Sequence, residues 1–68
     1  TNEICTIQDY YADVEEAQEI SEIFCNAVNE SSAGVQFSMD RSGKHIRVML
    51  KGAEDAVMDI LDAYYRRG

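Results

Sequence analysis

The chain has 68 residues, 46% of them hydrophobic, and carries 13 acidic against 6 basic residues, for a net charge of −7 and a pI near 4.4. That length makes one domain, 1–68, and the apolar content is too high for a disordered chain, while no apolar run is long enough for a transmembrane helix. The charge disfavours direct contact with nucleic acid or an anionic membrane surface and favours basic protein surfaces.

Ile4–Tyr11, "ICTIQDYY", is rich in β-branched and aromatic residues and predicts a first strand. Its alternation is not clean, with Cys5 and Ile7 on one face and Ile4, Thr6 and Gln8 on the other. Cys5 is expected inward and Ile4 on the uncovered side of the sheet.

Asp13 followed by Glu16 is a D-x-x-E variant of the capping box and marks a helix start. From Val14 onward, Ala17, Ile20, Ile23, Phe24, Ala27 and Val28 keep the helical period. Glu15, Glu19, Glu22, Asn26, Asn29 and Glu30 fall on the opposite face. The helix is expected to fade through "NESSAG", with Gly34 as terminator.

Val35–Asp40 alternates strictly, with Val35, Phe37 and Met39 inward, and His45–Lys51 alternates with Ile46, Val48 and Leu50 inward. With Arg41–Lys44 as the loop, Met39 faces Ile46, Phe37 faces Val48 and Val35 faces Leu50, and a one-residue slip destroys the match. His45 then lies outward, opposite Asp40. Gly52 ends the strand. Ala53–Arg66 is a second amphipathic helix, with Ala53, Ala56, Val57, Ile60, Leu61 and Tyr64 as its apolar stripe. Glu54 and Asp55 suit its N-terminal end, and Arg66 with Arg67 its C-terminal end.

The element order is β-α-β-β-α. Each strand has one apolar face and each helix one apolar stripe, which predicts an α+β two-layer sandwich with both helices on one face of a three-stranded sheet. The third strand has the densest apolar content, "IRVML", and is expected in the centre, giving order 1-3-2, most of a ferredoxin-like half-sandwich. A right-handed crossover makes the first and second strands parallel.

On this fold the charges separate. Asp13 to Glu30 contains six acids and no base, and the second helix adds Glu54, Asp55, Asp59 and Asp62. Arg41, Lys44, Arg47 and Lys51 lie on the hairpin, so the far side of the sheet is expected to be mildly basic. Glu15–Glu19 and Glu19–Glu22 are like-charge neighbours at helical spacing, each unfavourable by roughly 0.2–0.5 kcal/mol. The first helix therefore folds slightly less well than one with alternating signs, and a basic partner would complete it. Glu15, Glu19, Glu22, Glu30, Asp55, Asp59 and Asp62 are the candidate partner-binding residues. Arg47, Met49 and Lys51, on the open sheet face, are the alternative interface.

No motif carries catalysis. "SGK" within Arg41–Lys44 lies in a turn between strands, where a phosphate loop runs from a strand into a helix. His45 beside an aspartate lacks a nucleophile, and its surroundings do not match the signature of the sugar-transport phosphocarriers. One histidine and two cysteines cannot fill a four-ligand zinc site. Cys5 and Cys25 lack CxxC spacing and are expected on layers about 10 Å apart, so they are read as buried free thiols in a reducing, cytoplasmic setting. Tyr10–Tyr11 and Tyr64–Tyr65 each place one ring inward and one at the border. No cofactor and no enzymatic activity are expected.

The composition and charge layout thus point to a non-enzymatic interaction module presenting an acidic helical face to a basic partner. In its sharper form the module is an inhibitor or modulator that occupies the site of a nucleic-acid-binding protein, as phage-encoded nucleic-acid mimics do. The alternative is a homo-oligomeric structural or regulatory domain, a homodimer through the open sheet face. Over most of the chain the β-α-β-β-α order also resembles the small acidic DNA-damage-inducible modulators of the RecA recombinase. That family concentrates acids on its C-terminal helix, whereas this chain ends in "YYRRG", so no residue role carries over.

Overall fold

The computed structural model describes residues 2–31 and 34–66. Ser32 and Ala33 of the "NESSAG" segment, and Arg67, expected to suit the C-terminal end of the second helix, lie outside the described residues. The chain runs β1 (Glu3–Tyr11), α1 (Val14–Glu30), β2 (Gln36–Ser42), β3 (His45–Ala53) and α2 (Glu54–Tyr65). The sheet order is β1-β3-β2, and β3 is antiparallel to both neighbours, which makes β1 and β2 parallel. Both helices pack on one face and share a core with the inward residues of the strands. This is the two-layer α+β arrangement that the apolar patterning predicts.

Phe24, Ile46, Val48, Leu50 and Val57 are completely buried. Ala17, Ile20 and Phe24 from α1 meet Val57, Ile60 and Tyr64 from α2 over the three apolar residues of β3. An aromatic cluster closes one part of this core. The Phe24 ring stacks on Tyr64 with centroids 4.6 Å apart and on Phe37 at 6.2 Å, while Tyr10 lies 5.3 Å from Tyr64.

Helix α1 starts where the capping signal places it. The backbone N–H of Glu16 donates to Asp13 Oδ1 at 2.9 Å, satisfying one of the free N–H groups of the first turn. Its other end is closed by the Ser31 N–H, which donates to the Ala27 and Val28 carbonyls. Helix α2 follows β3 without a loop, and its first N–H, from Glu54, donates to the Asn2 carbonyl at 2.8 Å. Gly52 does not end the third strand, which continues to Ala53. A Cβ at Gly52 would come within 3.2 Å of Val35 Cγ2, so the absence of a side chain there lets Val35 pack against the end of the strand.

The hairpin register differs from the expected one by two residues. Phe37 pairs with Leu50, Met39 with Val48 and Arg41 with Ile46, and Val35 precedes the strand rather than facing Leu50. A two-residue shift preserves which face every side chain occupies, so periodicity cannot distinguish the two pairings. The turn decides between them. Ser42 pairs with His45 across a two-residue loop in which Gly43 has φ +60° and Lys44 a negative φ, the type II′ pattern. Consequently His45 lies beside Ser42 on β2 and Tyr11 on β1, not opposite Asp40.

Strand β1 faces the other way from the expectation. Ile4, Thr6, Gln8 and Tyr10 point toward the helices, and Cys5, Ile7, Asp9 and Tyr11 point away from them. The alternative parity would bury the Asp9 carboxylate, which is far more costly than exposing an isoleucine. It would also remove Tyr10 from the aromatic cluster. The chosen parity leaves Ile7 59% exposed and Tyr11 78% exposed. It also leaves Thr6 Oγ1 and Gln8 Oε1 buried with no hydrogen-bond partner among the described residues.

Candidate functional site

Two surfaces hold the residues singled out from the sequence. The first is the outer side of the helical layer. Along the chain path, α1 and α2 are antiparallel, so the C-terminal end of α1 lies beside the N-terminal end of α2. Between them runs an open groove of ≈ 430 Å³ lined by Ala27, Glu30, Ser31, Asp55, Ala56, Asp59, Ile60 and Ala63. Helical spacing explains the lining. Residues 56, 60 and 63 form one stripe of α2 and give an apolar floor, while Asp55 and Asp59 stand one turn apart at its edge. Residues 27 and 30 come from the last turn of α1, and Ser31 is its C-cap.

Of the seven predicted acidic site residues, the fold brings Glu30, Asp55 and Asp59 together around this groove. Glu15, Glu19 and Glu22 are exposed farther back along α1, outside its lining. Glu22 Oε1 accepts a long contact from Gln18 Nε2 at 3.5 Å. Asp62 is held by Arg66 at 3.1 Å, an exposed pair one turn apart on the same helix.

The carboxylates around the groove differ in how far the protein satisfies them. Asp55 lies in the first turn of α2, where the helix dipole favours an anion, and Asp55 Oδ1 accepts from the Ala56 N–H at 3.0 Å. Glu30 occupies the last turn of α1, the end that favours cations, and that turn contains no basic residue. Neither Glu30 nor Asp59 has an ion-pair partner among the described residues.

The second surface is the uncovered sheet face. Here β1, β3 and β2 align cross-strand rows of Cys5–Lys51–Gln36, Ile7–Met49–Ser38, Asp9–Arg47–Asp40 and Tyr11–His45–Ser42. Arg47 Nε donates to Asp9 Oδ1 at 2.9 Å, and a longer contact joins Arg47 Nη2 to Asp9 Oδ2 at 3.5 Å. His45 Nε2 lies 3.0 Å from the same Asp9 Oδ1, and the Tyr11 ring is 5.2 Å from the imidazole. Hydrogen bonding from Arg47 lowers the Asp9 pKa from its ordinary value of 3.8, desolvation opposes this, and His45 adds to the lowering.

Several expectations about this face change. Arg47 is neutralised by Asp9 and flanked by Asp40, so the face is not basic. Arg41 falls on the helix side of the sheet, in a shallow hollow with Val14, Ala17, Gln18, Ser21 and Met39. Ile4 leaves the open face and Ile7 takes its place beside Met49. Both thiols are free and exposed, Cys5 because of the parity of β1 and Cys25 because it lies beyond the edge of the buried stripe of α1. Asp9 was not singled out from the sequence, and pairing the Ile7 face of β1 with the Arg47 face of β3 is what reveals it.

Among the described residues, no group of three or more His, Cys, Asp or Glu side chains could hold a metal ion, and no helix is long and apolar enough to cross a membrane. Comparison of the chain with protein-family models, curated proteins and solved structures finds no match in any of the three.

Proposed function

We propose that the protein is a non-enzymatic interaction module whose acidic helical layer docks on a basic protein partner. The observation that carries this reading is the groove between α1 and α2, where an apolar floor is edged by Glu30, Asp55 and Asp59. An apolar centre with a charged rim is the usual anatomy of a protein-binding surface. The exposed Glu15, Glu19 and Glu22 extend the same sign along α1 and would steer a basic partner toward it. A partner that itself binds nucleic acid has the required basic surface, so inhibition or modulation of such a protein is the sharper form of the proposal.

The test is affinity capture with the native chain beside a Glu15→Gln/Glu19→Gln/Glu22→Gln/Glu30→Gln variant of verified fold, at low and high salt. A specific partner retained by the native chain and lost with the variant and with salt supports the reading. A partner retained equally by both contradicts it.

A second reading is favoured by one observation: β1 turns Ile7, beside Met49, and Tyr11, beside His45, outward on a face no helix covers. A second copy seated there would cover them. Three strands of this length present a face of only roughly 400 Å² in projection, against about 800 Å² per partner in stable complexes. A homodimer built on this face alone would be weak. Light scattering of the native chain and of Met49→Glu separates the cases, because a sheet-mediated dimer dissociates in the variant.

A further inference from the structure

We infer that the groove between α1 and α2 receives an arginine side chain from the protein partner, with its aliphatic stem on the alanine floor and its guanidinium between Glu30 and Asp59. This rests on the reading that the helical layer meets a basic partner, and it specifies where and by what chemistry.

Charge complementarity selects the occupant. Asp62 already holds Arg66. Glu30, Asp55 and Asp59 all edge the groove with no ion-pair partner among the described residues, and of the three it is Asp55, through Oδ1, that already accepts a backbone N–H, from Ala56. Glu30 in addition sits at the end of α1 where the dipole opposes it. A cation placed there relieves both conditions together.

Shape selects one extended side chain rather than a helix. At ≈ 430 Å³ the groove is at the small end of the range for ligand clefts, about 300–1,000 Å³. Because Ala27, Ala56 and Ala63 end at Cβ, the groove stays open above its floor and has room for the methylene groups of an extended side chain. Arginine suits this better than lysine. Its planar fork can serve two carboxylates at once, it is less strongly hydrated, and its stem packs well on apolar surface.

The test is titration of the native chain with hexa-arginine, hexa-lysine and hexa-citrulline peptides by calorimetry, with amide chemical shifts to locate the contact. Variants are Glu30→Gln/Asp59→Asn, which removes two anions of the groove, Ala63→Phe, which fills the floor, and Glu15→Gln/Glu19→Gln, which removes the same number of charges from the helical layer outside the groove. We expect hexa-arginine to bind more tightly than hexa-lysine and to shift the amides of Ala27, Glu30 and Asp59. Its affinity should fall about tenfold or more in each groove variant and by clearly less in Glu15→Gln/Glu19→Gln, where only long-range attraction is reduced. Binding that survives the groove variants and falls in Glu15→Gln/Glu19→Gln overturns the groove assignment while leaving the acidic-face reading intact. Equal affinity for hexa-lysine overturns the choice of arginine. Absence of hexa-arginine binding to the native chain overturns both. Should Ala63→Phe fail to fold, the Glu30→Gln/Asp59→Asn variant decides.

Discussion

Asp9 and Arg47 face each other across the β1–β3 pair, with Arg47 Nε 2.9 Å from Asp9 Oδ1, and this pair lies between the Ile7–Met49 and Tyr11–His45 rows of the uncovered sheet face. Its consequence for pH dependence follows from the sign of the shift. Hydrogen bonding from Arg47 lowers the folded-state pKa of Asp9 below 3.8, so the contribution to stability is present above that value and is lost as pH falls through the folded pKa. NMR titration of the Asp9 carboxyl carbon is expected to give a midpoint below 3.8, moving up in Arg47→Gln. A midpoint that does not move in the variant contradicts the assigned cause.

Phe24 is expected to be the most sensitive core position among the aromatics, since it is completely buried and stacks on both Tyr64 and Phe37. Phe24→Ala should cost about 3–5 kcal/mol, comparable with the whole stability of so small a domain, roughly 3–10 kcal/mol. Urea denaturation followed by circular dichroism should show a largely lost or strongly shifted transition for Phe24→Ala and a milder loss for Phe24→Leu. A shift of under about 1 kcal/mol for the alanine variant would show that this core is not the one that holds the fold.

Asp13 accepts from the Glu16 N–H, and its removal should destabilise α1 without altering any core contact. Asp13→Ala is expected to cost about 1 kcal/mol, while Asp13→Asn and Asp13→Ser remain near the native value. Equal losses for all three, measured by the same denaturation, would contradict a capping role.

Glu30 provides a case in which stability and binding should move in opposite directions. In the last turn of α1 it opposes the helix dipole, so Glu30→Gln should leave the isolated protein unchanged or a few tenths of a kcal/mol more stable. The same substitution should weaken capture of a basic partner. Loss of both stability and capture would make Glu30 a structural residue instead.

Much of the fold was legible because the two helices and the hairpin obey single periods. Ala17, Ile20 and Phe24 on α1, and Val57, Ile60 and Tyr64 on α2, are buried where the helical pattern places them. What escaped involved choices that periodicity leaves open. Two hairpin registers bury the same residues, and the Gly43 turn selects between them. In β1 both faces mix apolar and polar residues, so parity is set by keeping Asp9 in solvent and placing Tyr10 beside Phe24 and Tyr64. The acidic site was legible as composition and helical spacing. Which three of its seven carboxylates share a groove depends on how α1 lies against α2, a contact that neither helix encodes alone.

The decisive measurement is amide chemical-shift mapping of the labelled chain with the protein that affinity capture identifies. If the acidic helical layer is the docking surface, the largest changes fall on α1 and α2, around Ala27, Glu30, Asp59 and Ala63, and fade as salt is raised. Changes concentrated instead on Ile7, Arg47, Met49 and Lys51, with the helices silent, would contradict it and make the open sheet face the interface.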